Sequence, residues 1–187
     1  VSELIDTCLN KNQNKLNNII NENILTSDDV ILIIRVFLSK TKRLLKIKEN
    51  NFSQPLGAVA LSPWTDLSQS GKTMVTNENI DPIISKKYLD RFAKLYFTDS
   101  NNMSHLASPI IGELSGLPDM LIQVGSAETM LDDSKRFYEK AKKANVNAKL
   151  EIWEDMFHGW HSNAHILKEA EDAIISIGKF CRNLFNQ

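Results

Sequence analysis

The sequence predicts an α/β fold, a mostly parallel sheet flanked by helices. Three observations predict it. Short apolar runs at Gly57–Ser62 and Met120–Gly125 have the length and composition of buried parallel strands. A third run, Ala148–Trp153, alternates apolar and polar residues. An amphipathic helical stretch separates the last two, as in a crossover between parallel strands.

Each element has a local reason. Pro63 ends the first strand, because proline cannot donate to a ladder. Asp132 to Ala144 reads as a helix with Phe137, Ala141 and Ala144 as its inner stripe. Asp132 and Asp133 in its first turn suit capping and the helix dipole. A last helix is predicted over Ala164 to Leu184, with Ile166, Ala170, Ala173, Ile174, Ile177 and Phe180 on one side. Between the first two strands, Ser85 to Tyr96 reads as an amphipathic helix with Tyr88, Phe92 and Leu95 as its apolar residues. The long excursion carrying it, residues 68–104, is expected to be a helical lid insertion.

The chain changes character near residue 50. Residues 1–50 read as an atypical helical N-terminal segment, and residues 51–187 as the α/β part of the chain. Asn-rich residues 1–25 carry a weak stripe of Leu9, Leu16, Ile19 and Ile20. Thr26-Ser-Asp-Asp29 reads as a helix start before Val30, Ile31, Ile34 and Leu38. The basic run from Lys40 to Lys48 reads as a solvated helix face.

Composition excludes several classes. There are 22 basic and 23 acidic side chains for a formal charge of −1, so a generally basic nucleic-acid-binding surface is not expected. No apolar run reaches the ~18 residues of a transmembrane segment. Cys8 and Cys181 form no CxxC, so neither a disulfide framework nor a zinc knuckle is expected. No secretion signal is visible, and a cytoplasmic location is the expectation. Val1, in place of Met, points to processing or to a longer product.

In open α/β sheets, ligands bind where the strands end. Glu128 follows the second strand and His158 the third. An acid followed by a histidine is the chain order of the α/β-hydrolase triad after its nucleophile. The strings Leu61-Ser-Pro-Trp-Thr-Asp-Leu67, His105-Leu-Ala-Ser-Pro109, Leu117-Pro118, Leu121-Ile-Gln-Val-Gly125 through Leu131-Asp-Asp133, and Met156-Phe-His-Gly159 occur in that order. Together they resemble the C-terminal half of the hormone-sensitive-lipase group of α/β-hydrolase esterases, over about residues 55–185. The resemblance implies hydrolysis of short to medium acyl esters, with His158 as catalytic histidine and Glu128 as its acid. Asp132 matches the second acid of the same motif and is the alternative. A small acyl ester is the implied substrate, with no metal and no organic cofactor.

The nucleophile is unknown. No Gly-x-Ser-x-Gly occurs in these 187 residues, and no two glycines are adjacent as an oxyanion segment of that group requires. Gly112-Glu-Leu-Ser-Gly116 has its Ser115 off-centre. Ser39-Lys-Thr-Lys42 fits a Ser-x-x-Lys pattern on a basic run. His158, His161 and His165 have a spacing that on one helix could hold a metal, without a further ligand nearby. Trp64, Phe92, Tyr96 and Phe97 are candidates to line an acyl pocket, Trp160 to sit near its mouth, and Trp153 to belong to the core. The expectations are a hydrolase part inactive alone, or a catalytically silent relative acting as a binding or interaction module. Either would leave apolar surface that a homo-oligomer or partner chain covers.

Overall fold

The computed structural model describes residues 55–96 and 104–186. The expectations for residues 1–50, Ser39, Cys8 and Phe97 lie outside the described residues. Strands β1 (Gly57–Leu61), β2 (Asp119–Gly125) and β3 (Ala148–Trp153) form a parallel sheet in the order β1-β2-β3. The register aligns Ala60 with Ile122 and Ile122 with Leu150. β2 is central and buried from Met120 to Gly125, which is why its run is almost wholly apolar. β1 has no neighbour on its outer side among the described residues.

The helices are α1 (Thr73–Thr76), α2 (Lys86–Tyr96), α3 (Leu131–Lys143) and α4 (Lys168–Phe185). Short 3-10 turns occur at Pro109–Ile111 and Trp160–Asn163. α3 makes the predicted crossover, with acids in its first turn and lysines in its last. Its Phe137 and Ala141 join Ala60, Leu114, Met120, Ile122, Val146 and Ala148 in the main core. Asn145 ends that helix at φ 59°, a left-handed position that asparagine tolerates.

Two sequence expectations are corrected. α4 begins at Lys168, not near Ala164, because Gly159 at φ 72° and the turn at Trp160–Asn163 occupy the preceding residues. Ile166 is therefore outside the helix and 78 % exposed. On α2, among the residues whose burial is described, Leu89 is buried, while Tyr88 and Phe92 are exposed. Leu89 packs with Trp64, Leu67, Met74, Ala107 and Met130, so the side facing that cluster is not the aromatic one.

Part of the excursion from 68 to 104 is bonded to the loop that follows β2. Asn77 donates from Nδ2 to the carbonyls of Ser126 and Glu128, at 3.0 Å each. The Asp81 carboxylate accepts the Thr129 N–H at 3.0 Å and the N–H groups of Ile83 and Ile84. The loop after β1 is anchored from both sides. Asp133 on α3 accepts the N–H groups of Thr65 and Asp66 through Oδ2, at 2.9 Å each. Ser108, in the His105–Pro109 string, accepts the Leu67 N–H at 3.1 Å. No helix of the described residues is long and apolar enough to cross a membrane.

Candidate active site

The three parallel strands bring their C-terminal ends to one edge, and the loops leaving them are bonded together. Ser126 N–H donates to Trp153 O at 2.8 Å, and Ala127 N–H to Met156 O at 3.2 Å. Asp155 N–H donates to Ser126 Oγ at 2.8 Å. Gly125 is required here: a Cβ at this position would collide with the carbonyl of Met156.

Glu128 and His158 meet in this lacing. Glu128 is fully buried and His158 is 4 % exposed. His158 Nδ1 lies 2.9 Å from Glu128 Oε2. The other oxygen, Oε1, accepts the Ser62 hydroxyl and the Gly125 N–H, each at 2.7 Å. An ionised carboxylate only accepts, so this arrangement puts the imidazole proton on Nδ1 and leaves Nε2 with a lone pair. A histidine so held can take up a proton at Nε2 and give it back.

Asp132 is placed elsewhere. Its Oδ2 accepts the N–H of Lys72 at 2.7 Å and of Thr73 at 3.4 Å, at the start of α1. Neither it nor Asp133 caps its own helix. Asp133 belongs to a charge cluster with Asp66, likewise buried, and the half-buried Arg136. Burial lifts the Asp133 carboxyl to about 6, against the pull of the Thr65 and Asp66 N–H groups and Arg136. Burial also works to raise Asp66, yet hydrogen bonds from Ser68, Ser70 and Arg136 hold it at about 2.

The other histidines have different surroundings. Gln123 Nε2 donates to Glu151 Oε2 at 2.7 Å and to Ala173 O at 3.1 Å. Its amide oxygen thus faces His161 Nε2, 3.0 Å away, which carries the proton. Burial, with His158 nearby, lowers His161 to about 3, so it stays neutral. His161 stacks on Trp160 with ring centroids 3.7 Å apart. His165 is exposed. The three do not share one helix, because residues 160–163 are a 3-10 turn and α4 starts at Lys168. Trp160 is fully buried with Met156, Ala170 and Ala173, and Trp153 packs against that group. Trp64 is buried in the core under α2.

Ser115 is exposed and precedes β2, at the opposite end of the sheet from His158. Sequence reasoning gave no role to Ser62 or to the Gly125 N–H. Their contact with Glu128 joins residues 66 and three positions apart, and no local spacing signals the longer one.

Comparison with known proteins bears on the family and the fold. The alpha/beta hydrolase fold family matches residues 38–162. An acetyl-hydrolase of Streptomyces hygroscopicus is 38 % identical over 128 residues, which are 68 % of this chain and 43 % of that protein. An esterase of Acinetobacter venetianus is 33 % identical over 141 residues, 75 % of this chain and 46 % of its own length. The crystal structure of an esterase from the bacterial hormone-sensitive lipase family superposes with a TM-score of 0.74 at 40 % identity, covering 76 % of this chain and 48 % of the other. The chain thus spans about half the length of the relatives it matches.

Proposed function

The chain belongs to the alpha/beta hydrolase fold family, and we propose that it carries the acid–base half of a carboxylic-ester-hydrolysing site. His158 is the general base and Glu128 the acid that orients it. The observation that carries this reading is the buried pair itself, 2.9 Å apart at the strand ends. In the reaction, His158 Nε2 takes the proton of a serine hydroxyl as that oxygen attacks the acyl carbonyl. The imidazolium then protonates the departing alcohol, and water repeats the sequence on the acyl-enzyme. Glu128 stabilises the transient positive charge without taking the proton.

The serine and the oxyanion donors are not assigned among these 187 residues. Ser62 is the hydroxyl bonded to the acid, not to the imidazole. Nucleophile and oxyanion hole supply most of the rate in acyl transfer, so the 187 residues alone are proposed to be inactive on esters. The absence of Gly-x-Ser-x-Gly in the sequence also favours a second reading, a silent relative that binds without turning over.

Two experiments test this. Intact-mass spectrometry after a fluorophosphonate probe is expected to show no label on the folded chain. Stoichiometric labelling that His158→Ala removes would overturn the inactivity, and peptide mapping would identify the serine. Next, residues 55–186 would replace the matching half of the Acinetobacter venetianus esterase. A folded chimaera should hydrolyse p-nitrophenyl acetate and lose that activity in His158→Ala. A folded, inactive chimaera would favour the silent reading.

A further inference from the structure

We propose that Ser62 is a positioning residue for this acid–base pair: with the Gly125 N–H it occupies one oxygen of Glu128, committing the other to His158 Nδ1. The proposal rests on the reading of Glu128 and His158 as a functional pair.

The geometry carries it in three steps. First, the terminal torsion of a glutamate is broad and roughly two-fold, so burial alone does not fix the plane of its carboxylate. Two donors at 2.7 Å on Oε1 do fix it, because rotation would break both bonds at once. Only Oε2 then remains for the imidazole. Second, the direction of the Ser62 bond is settled. A carboxylate has no proton to give, so the hydroxyl donates. With Ser62 5 % exposed and Glu128 fully buried, little water competes for that proton.

Third, the backbone at Ser62 is unfavourable for a serine. Its φ is 46°, in the left-handed region that glycine enters without steric cost. The turn is needed there: Ser62 N–H still bonds Gln123 O at 2.7 Å, continuing the β1–β2 ladder, and Pro63 follows. Glycine would satisfy the backbone better but would leave Oε1 with one donor. A side chain kept against the local backbone preference, with its hydroxyl on a buried functional group, is the pattern of strain held for a site. The same bond rules Ser62 out as the nucleophile, since its proton is directed to the acid.

Nuclear magnetic resonance of the full 187-residue chain tests the proposal. Imidazole nitrogen-15 shifts report the tautomer of His158, and the exchange rate of its Nδ1 proton reports how firmly the pair is held. The variant of choice is Ser62→Gly, which removes the hydroxyl and suits the observed φ. The wild-type chain is expected to hold the single Nδ1–H tautomer. Ser62→Gly should give a mixed tautomer and an Nδ1 proton exchanging roughly tenfold faster or more, as for loss of one hydrogen bond to a charged group. Ser62→Thr, which keeps the hydroxyl, should restore the wild-type tautomer even if its melting temperature falls. A purely structural role would lower the melting temperature of Ser62→Gly without moving the tautomer, and that result overturns the proposal while sparing the pair. Unfolding of both Ser62→Gly and Ser62→Ala would assign the hydroxyl to folding and also overturn it. A wild-type chain lacking the Nδ1–H tautomer would refute the pair itself, and the proposal with it.

Discussion

Glu128 and His158 stand 30 residues apart in the sequence, yet Oε2 of one lies 2.9 Å from Nδ1 of the other, both withdrawn from solvent. The contact exists because parallel strands β2 and β3 end side by side, and each loop leaving them carries one partner. Five consequences are open to measurement.

Truncating the acid should unsettle the fold as well as the pair. Glu128→Ala strands three donors, on Ser62, Gly125 and His158. Each buried orphan costs about 1–3 kcal/mol, so the loss should exceed that of a typical surface change several-fold. Urea denaturation reads this directly. Glu128→Gln keeps an acceptor and should cost clearly less.

In an active chimaera, Glu128→Gln should lower kcat far more than it raises KM. The fall expected for a triad acid replaced by its amide is on the order of 10⁴. A change confined to KM would remove Glu128 from the chemistry.

Asp132→Ala should behave differently from both. It loses the bonds to the N–H groups of Lys72 and Thr73, with a cost of about 1 kcal/mol by analogy with helix caps. The His158 tautomer should stay as in the wild type. If instead it changed, Asp132 would regain its place as the alternative acid.

Gly125→Ala should be among the most damaging single-methyl additions. The new Cβ meets the backbone carbonyl of Met156, which cannot rotate away as a side chain can. A loss of about 3 kcal/mol or more is expected, since the loop carrying His158 must shift. A melting temperature equal to the wild type would contradict the tight apposition of the two loops.

The pH dependence of stability should have a plateau. His161 is lowered to about 3, so the unfolded chain binds its proton first and stability falls as pH drops below about 6.5. Asp133 is raised to about 6, so the folded chain binds that proton first and stability rises as pH drops from 6 toward 3.8. The two slopes oppose each other between those limits. Glu151, lowered from 4.5, begins to lose its contribution below that pH, and below 3.8 Asp66, held at about 2, adds its loss to that of His161. Melting temperature should be nearly flat from pH 6 to about 4 and then fall steeply. In His161→Asn the Asp133 effect is no longer opposed by the histidine, and stability should rise on acidification from pH 6 to about 4.5.

Much of this was legible in the sequence because it depends on local pattern. The apolar run of β2 marks a strand buried on both faces, and α3 shows its inner stripe and its charge polarity within thirteen residues. Glu128 and His158 were legible because each follows a strand in a recognisable string. The exposed face of α2 was not, because Tyr88, Phe92 and Leu89 are all apolar and periodicity does not say which of them meets a neighbour. The start of α4 was missed because Gly159 and the turn after it interrupt a stripe that reads as continuous.

The sequence by itself determined the fold class and that an acid, Glu128, and a histidine, His158, follow successive strands, since strand period, helix period and motif order are properties of neighbours along the chain. Tertiary structure alone decided that Asp132 serves α1, that Asp133 anchors the loop after β1, and that Ser62 bonds the acid. Those contacts join residues about 60 or more positions apart, and their partners are chosen by sheet register and loop packing, which no short-range spacing encodes.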